Sequence, residues 1–226
     1  MNNCLEASIS RCCQVWEKRG RGPLPADQSD GYPEVSYYGR YEDIKSKLHP
    51  RSDLTLLDVG CGRGSVLQYL KGDFRDVVAV DIAFSNLRHL REALGPVKTV
   101  LASAHQLPFR SSSFDRILLY GVLHYFPSWE YASDVVVELI RVCQSKGIIL
   151  LGDNEPVINT AFDPPIKKAP VHLSNSRPGD VELCFTKQFF EDVASQLGCE
   201  VQVVDTWGQP GHFDVILTVN KEENIS

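Results

Sequence analysis

Apolar residues recur in seven short runs along this chain, and stretches with an apolar residue at every third or fourth position lie between several of them. Short apolar runs indicate β-strands, and spacing such as that of Leu87, Leu90 and Leu94 indicates a helix. Strands that alternate with helices predict an α/β fold with a doubly wound, mostly parallel seven-stranded sheet. The predicted strands lie near 54–59, 76–81, 97–102, 114–120, 146–152, 200–206 and 213–219.

Several residues mark the ends of these elements. Ser128 and Thr186 precede helical patterns and are predicted N-caps. Gly147 is predicted to stop the preceding helix. The last two strands are joined by the short link 207–212, which predicts a hairpin and therefore one antiparallel strand near the C-terminus. The length of the chain, 226 residues, fits a single domain over residues 1–226.

The most informative motif follows the first predicted strand, where Asp58 precedes Gly60, Gly62 and Gly64. Glycines let the backbone turn sharply and approach a ligand closely, and the next helix presents free N–H groups there. A dinucleotide-binding loop would require a glycine where this chain has Ser65. A carboxylate ahead of the glycines repels a pyrophosphate and attracts an ammonium group. The loop therefore favours a nucleotide cofactor without a pyrophosphate.

This loop resembles motif I of the class I S-adenosylmethionine-dependent methyltransferases, of the small-molecule type. Four later segments match that family in the same order, at 77–81, 101–115, 114–126 and 139–151. The resemblance covers residues 54–152 well and the remainder only by the order of its elements. It implies a Rossmann-like sheet with an antiparallel strand near its end, and S-adenosylmethionine as the cofactor.

The resemblance also assigns cofactor contacts. Asp81 ends the second strand, where the family binds both ribose hydroxyls, although the same residue type also suits an ordinary N-cap. Ser103 stands where relatives usually carry an aspartate that contacts adenine, and a neutral acceptor forms a weaker hydrogen bond. The carboxyl ends of the strands should bring these residues together. The predicted cofactor-binding residues are Asp58, Gly60, Cys61, Gly62, Gly64, Asp81, Ile82, Ser103, Ala104, Tyr120, Tyr38 and Arg40.

Two regions outside the repeating pattern are predicted to cover the site. Residues 1–50 are predicted to form an N-terminal helical lid, in which Tyr38 and Arg40 contact the cofactor carboxylate; the alternative is a helix packed over the sheet edge. Residues 153–183 are rich in proline and too long for an ordinary connection. Long loops are usually functional or disordered, so this segment is predicted to be a substrate-binding insertion.

His124 and Asp153 are the candidate catalytic residues. His124 follows the fourth strand at the methyl-facing end, and histidine titrates near neutral pH, so it is a candidate general base; the alternative is a histidine that shapes the pocket. Asp153, or alternatively Glu155, is a candidate metal-free base. Asp153 and Asn154 together resemble half of a divalent-metal site, but no carboxylate follows the fourth strand to complete it, and no metal is predicted. Weaker candidates are His105, His172 and His212.

Composition and charge limit the classes of molecule that this chain is expected to bind. The formal net charge of −6 gives no attraction to nucleic acid or anionic membranes, and no apolar run is long enough to span a bilayer. The seven cysteines are odd in number and contain no Cys-x-x-Cys pair, which indicates free thiols in a reducing, cytoplasmic compartment. The chain is therefore predicted to act on a small molecule by O- or N-methylation, for example of a sugar or secondary metabolite. The sequence leaves the oligomeric state open.

Two rival functions stay open at this point. One is a catalytically silent protein that binds S-adenosylmethionine and acts through a partner. The other is an NAD(P)-dependent oxidoreductase, which Ser65 and Asp58 disfavour.

Overall fold

The computed structural model describes residues 2–21, 34–157 and 183–221. Its helices are α1 (Asn2–Arg21), α2 (Glu34–Leu48), α3 (Leu67–Leu70), α4 (Phe84–Leu94), α5 (Trp129–Val142) and α6 (Lys187–Ser195). Its strands are β1 (Thr55–Val59), β2 (Asp76–Asp81), β3 (Lys98–Leu101), β4 (Phe114–Tyr120), β5 (Cys143–Asn154), β6 (Cys199–Asp205) and β7 (Phe213–Val219). His172 and most of the predicted insertion, residues 158–182, lie outside the described residues.

The strands form one sheet in the order β3-β2-β1-β4-β5-β7-β6. Neighbours from β3 to β5 pair in parallel, whereas β7 pairs antiparallel with both β5 and β6. The predicted fold class, including the single antiparallel strand, is confirmed. The chain order reverses between β1 and β4, which is the place where open α/β sheets bind ligands at their carboxyl edge.

Alternating side chains along the strands fill two cores, one on each face of the sheet. On β4, Ile117 and Leu119 pack in the core that contains α5 and α6. Leu118 and Tyr120 face the other core, where Ile44 of α2 packs with residues of α3 and α4. This period of two follows from the pleat of a strand. Helices therefore cover both faces, and the carboxyl edge remains for α1 and the loops.

The ends of the helices follow the sequence at two of three predicted positions. The hydroxyls of Ser128 and Thr186 accept hydrogen bonds from backbone N–H groups at the starts of α5 and α6, which confirms both N-caps. The prediction for Gly147 is wrong: α5 already ends at Val142, and Gly147 lies inside β5. A Cβ at Gly147 would lie 2.4 Å from Cys143 Sγ, so this glycine allows a close approach within the strand.

Candidate active site

The glycine loop joins β1 to the region of α3 and follows a course that side chains would block. Gly60 and Gly64 have φ angles of +74° and +86°, in the left-handed region. A Cβ at Gly60 would lie 2.6 Å from Val122, and one at Gly64 would lie 2.8 Å from Leu94. The N–H groups of Gly60 and Cys61 donate to the carbonyl of Val80, which fastens the loop to the end of β2.

Asp81 holds the loop from the other side. One carboxylate oxygen accepts from the backbone N–H of Gly62 at 2.8 Å. The other accepts from the N–H of Ala83 at 2.8 Å and from the side chain of Asn86 at 3.3 Å. Burial raises the pKa of Asp81, and these hydrogen bonds act in the opposite direction. The oxygen that accepts from Gly62 has a further lone pair, so the carboxylate can still accept from a ligand.

Asp58 is a second buried carboxyl group beside the same loop, with only 4% of its surface exposed. Burial, and then the charge of Asp81, raises its pKa from 3.8 to about 8. Two carboxyl groups in this surrounding repel each other when both are ionised. A cation placed between the loop and the sheet would favour the ionised form of Asp58.

An open cavity of about 750 Å³ lies between the glycine loop, the ends of β2, β3 and β4, and helix α1. Among the described residues its walls include one carboxylate, Asp81, and no lysine or arginine. The lining residues are Ile9, Cys12, Trp16, Val59, Gly60, Gly62, Val80, Asp81, Ile82, Asn86, Ala102, Ser103, Ala104, Gly121, Val122, Tyr125, Phe126, Pro127 and Tyr131.

Helix α1 closes the outer side of the cavity. Its lining residues Ile9, Cys12 and Trp16 follow a helical spacing of three and four, and Trp16 packs edge-on against Tyr125 with ring centroids 4.8 Å apart. Polar contacts fasten its last turn, where Glu17 accepts from the backbone N–H of Ser85 at the start of α4. These contacts place α1 across the opening at the carboxyl edge.

The end of the cavity that faces β3 contains a hydrogen-bonded cluster of side chains. The Ser103 hydroxyl lies 2.7 Å from the Tyr131 hydroxyl and 2.9 Å from Nδ1 of His105. Burial raises the pKa of Tyr131, which keeps this phenol protonated. Tyr131 therefore adds a second hydroxyl where the sequence offers only Ser103.

Tyr120 and Arg40 meet on the opposite face of the sheet, beside the α2 core. The Arg40 guanidinium lies 5.9 Å from the Tyr120 ring centroid, and neither residue is among those that line the cavity. Burial, with the charges of Asp214 and Asp153, raises the pKa of Tyr120. Tyr38 is 68% exposed on α2. The structure thus places these three predicted contacts outside the cavity.

The side chain of Asp153, near the end of β5, contacts a histidine in the loop before β7. Its carboxylate lies 2.8 Å from Nδ1 of His212. Asp153 has a φ angle of +59°, an uncommon left-handed value for a residue other than glycine. Its backbone N–H donates to Asp214 at 2.8 Å, and Asp214 is fully buried in an ion pair with Lys47. The strained residue is therefore held from two sides.

This pair lies beside a residue of the cavity wall, although neither Asp153 nor His212 lines the cavity itself. A Cβ at Gly121, which lines the cavity, would lie 3.9 Å from the second carboxylate oxygen of Asp153. His124 is next to the same groups, and its ring packs on that of Tyr125 with centroids 3.9 Å apart. Burial lowers the pKa of His124 to about 4, against the opposing charge of Asp153 and together with that of His212. His124 is consequently neutral at physiological pH and a weak proton acceptor.

The amide nitrogen of Asn154 is used within the sheet. Its Nδ2 donates to the backbone carbonyls of Leu151 and Phe213, and it is 1% exposed. It therefore fastens β5 to β7. In the described part of the chain, no group of three or more histidine, cysteine, aspartate or glutamate side chains is arranged to hold a metal ion.

The predicted cofactor-binding residues divide into three sets. The cavity brings together Gly60, Gly62, Asp81, Ile82, Ser103 and Ala104. Asp58, Cys61 and Gly64 belong to β1 and the loop but do not line the cavity, and Cys61 is buried in the α2 core. The third set is Tyr38, Arg40 and Tyr120, described above. Sequence reasoning missed the α1 contacts and Tyr131; the helical spacing of Ile9, Cys12 and Trp16 is a signal that was available. No described helix is both long and apolar enough to cross a membrane.

Comparison with known proteins agrees with this geometry. A family model described as a methyltransferase domain matches residues 57–151. A probable S-adenosylmethionine-dependent methyltransferase of Mycobacterium tuberculosis is 25% identical over 163 residues, which cover 71% of this chain and 58% of that protein. The human mitochondrial arginine-hydroxylase NDUFAF5 is 38% identical over 124 residues, 54% of this chain and 34% of that protein. The chain thus spans only part of the length of these relatives.

Solved structures share the fold. Phosphoethanolamine N-methyltransferase 1 of Haemonchus contortus, with phosphoethanolamine and S-adenosylhomocysteine, superposes with a TM-score of 0.74 at 15% identity, over 98% of this chain and 51% of that one. DesVI of Streptomyces venezuelae superposes with a TM-score of 0.63 at 17% identity, over 82% and 93% of the two chains. The matched region includes the glycine loop, Asp81 and Ser103. Residues 57–151 therefore match a methyltransferase domain, and S-adenosylmethionine-dependent methyltransferases are among the sequence relatives and structural neighbours of this chain.

Proposed function

We propose that this protein binds S-adenosylmethionine in the cavity beneath α1 and transfers its methyl group to a small-molecule acceptor. The observation that carries the proposal is the pair of buried carboxyl groups, Asp58 and Asp81, at a glycine loop whose cavity has no basic lining residue in the described chain. A ligand with positive charge and no phosphate suits this surrounding. The acidic walls oppose the pyrophosphate of a nicotinamide cofactor.

Each part of the cavity has a role under this proposal. Asp81 accepts from the ribose hydroxyls while it continues to hold the N–H of Gly62. Asp58 stabilises the amino group of the cofactor from behind the loop. Ser103 and Tyr131, which are 2.7 Å apart, receive the adenine ring between apolar walls. The paired hydroxyls compensate for the absence of an aspartate at position 103.

Helix α1 acts as the lid in this proposal. Its apolar residues form the outer wall, and Glu17 holds its last turn on α4. Exclusion of water from the sulfonium group favours displacement at the methyl carbon over side reactions. The bound cofactor supplies an activated methyl group, and the chain has to align an acceptor with it. Residues 158–182 belong to the segment we propose as the substrate-binding insertion.

Hydroxylation is the second candidate function, because the relative with 38% identity carries the name arginine-hydroxylase. The two functions leave different marks on an acceptor. Methyl transfer replaces a hydrogen by a methyl group that originates in the cofactor. Hydroxylation inserts an oxygen atom and leaves the cofactor methyl in place.

Two measurements test the proposed function. Calorimetric titration with S-adenosylhomocysteine compares the wild type, Asp81→Asn and the control Asp76→Asn; Asp76 is an exposed aspartate at the start of the same strand, paired with Lys98. We expect micromolar binding that Asp81→Asn weakens at least tenfold and Asp76→Asn leaves unchanged. Incubation with S-adenosylmethionine that carries a CD3 group, plus a small-metabolite extract, then identifies products by mass.

The outcomes separate the candidates. A labelled CD3 group in a small molecule supports methyl transfer. A product that has gained oxygen without the label supports hydroxylation. Binding without any product in either form supports a silent cofactor-binding protein. Failure of the wild type to bind S-adenosylhomocysteine overturns the proposed cofactor site.

A further inference from the structure

A second histidine, His212, lies beside the end of the cavity nearest β4 and β5, and it reaches the cavity wall at Gly121 through Asp153. His212 is 29% exposed at its side chain, and its Nδ1 contacts Asp153 at 2.8 Å. Asp153 in turn borders Gly121 at the cavity wall. His124 has a pKa of about 4, which makes its neutral ring a weak base. His124 is therefore disfavoured as the base, whereas the ring of His212 is partly exposed and oriented by a carboxylate.

We propose that Nε2 of His212 is the proton acceptor for the methyl acceptor, and that Asp153 is the positioning residue that orients the imidazole. The inference rests on the proposed function and narrows its substrate class to molecules that must lose a proton from nitrogen or oxygen: hydroxyl groups and amines. An acceptor that is already deprotonated, or a thioether, has no use for this base.

The hydrogen bond between the two residues fixes the chemistry of the ring. A carboxylate only accepts, so Nδ1 of His212 carries the proton and Nε2 keeps its lone pair. The same arrangement of carboxylate, imidazole and nucleophile operates in acyl-transfer triads, where the acid holds the tautomer and stabilises the imidazolium. Here Asp153 Oδ1 occupies the position of the orienting acid.

The framework around Asp153 supports a positioning role. Its left-handed backbone is held by the hydrogen bond from its N–H to Asp214. Asp214 is fixed by Lys47 and by the hydroxyl of Thr206, which lies at the start of the same loop as His212. Strain at a residue held this firmly is typical of functional sites. The network therefore holds both Asp153 and the loop that carries His212 in position.

The proposed step is balanced. The oxygen or nitrogen lone pair of the acceptor forms a bond to the methyl carbon while the bond from that carbon to sulfur breaks and its electrons remain on sulfur. Nε2 of His212 takes the proton from the acceptor. The resulting imidazolium is stabilised by Asp153 and returns the proton to solvent from its exposed side.

The ring tautomer tests the inference without any acceptor. Protein with ¹⁵N-labelled histidine, saturated with S-adenosylhomocysteine, is studied by long-range ¹H–¹⁵N correlation, and His212 is assigned by the loss of its signals in His212→Gln. We expect the singly protonated ring to carry its hydrogen on Nδ1, and Asp153→Asn to move both nitrogen signals. A hydrogen on Nε2 overturns the inference, because that nitrogen then has no lone pair to accept a proton.

Turnover provides the second arm, with the acceptor found in the labelled-methyl screen. His212→Gly should lower kcat by about 100-fold or more, the range of general acid–base catalysis, and leave the affinity for S-adenosylhomocysteine unchanged. Imidazole added to the buffer should restore part of the lost kcat. The control His49→Gln changes an exposed histidine after α2 and should have no effect.

The arms distinguish two kinds of failure. If the wild type does not bind S-adenosylhomocysteine, the proposed function is wrong. If the wild type transfers the methyl group and His212→Gly keeps its kcat, or loses it without recovery in imidazole, the role of His212 is wrong while the proposed function stands.

Discussion

Asp58 makes the most specific prediction, because its ionisation opposes folding and favours the binding of a cation. Its pKa rises from 3.8 in the unfolded chain to about 8 in the folded one. Between these values the folded state holds a proton that the unfolded state has released. The free energy of unfolding therefore decreases as pH rises through this window, by about 1.4 kcal/mol per pH unit at most.

His124 acts in the opposite direction over part of the same range. Its pKa falls from 6.5 to about 4 on folding, so the unfolded state binds the extra proton between these values and stability increases with pH there. The two contributions cancel from about pH 4 to 6.5. Above pH 6.5 only Asp58 remains, and the wild type should lose stability up to about pH 8.

The perturbation is Asp58→Asn, which keeps the shape of the side chain and removes its ionisation. The variant and the wild type should have similar stability near pH 4 and diverge as pH rises. From the slope above, the variant should be more stable by on the order of 4 kcal/mol at pH 7. Urea denaturation at each pH gives the free energy of unfolding, and Asp76→Asn is the control. Parallel curves for wild type and Asp58→Asn would refute the reasoning.

The same group should release a proton when the cofactor binds. If the amino group of S-adenosylhomocysteine lies near Asp58, it favours the carboxylate, and binding at pH 7 should release close to one proton from the wild type. Calorimetry in buffers of different ionisation enthalpy measures this number. Asp58→Asn should release none. Proton release that is equal in both proteins would place the ammonium group elsewhere.

Three further substitutions, Lys47→Met, His124→Gln and Gly20→Val, test the side chains and the helix around the site. Lys47→Met leaves Asp214 buried without its cation and should cost about 3–5 kcal/mol in urea denaturation, whereas Lys98→Met breaks an exposed pair and should cost under about 1 kcal/mol. His124 should lower the free energy of unfolding as the pH falls from 6.5 to 4, because the unfolded chain binds its proton more readily. In an Asp58→Asn background, His124→Gln should abolish this loss. Gly20→Val places a side chain 2.1 Å from Ser85 Oγ and should displace α1, which should weaken S-adenosylhomocysteine binding at least tenfold. The control Gly72→Ala should leave the affinity unchanged. Equal affinities of the two variants would contradict the role of α1 as a lid.

The repeating part of the fold was predictable because its signals are local. The apolar runs give all seven strands, and the short link 207–212 gives the antiparallel strand β7. The error at Gly147 has a physical reason. A helix can pass directly into a strand, as α5 does at Cys143, and a glycine within a strand serves packing as well as turning.

The candidate site was predictable only in part. The residues of the glycine loop and Asp81 are adjacent in sequence to strand ends, so their convergence follows from the topology. Tyr120 ends a strand too, but alternation places it on the same face as Leu118, against the α2 core. The sequence pattern gives that alternation without saying which face borders the cavity. The α1 contacts depend on a long-range docking of Trp16 on Tyr125, which no local pattern specifies.

The position of His212 follows from two features that the sequence predicts locally, the end of strand β5 and the antiparallel direction of strand β7. In a parallel sheet the residue before a strand lies at the amino edge, far from the ligand side. Because β7 runs antiparallel to β5, its first residue, Phe213, pairs with Asn154 at the end of β5. His212 therefore arrives at the carboxyl edge beside Asp153. An antiparallel strand late in such a sheet can thus supply a side chain to the acceptor side of the cavity, and the residue just before that strand is where a proton acceptor should be sought.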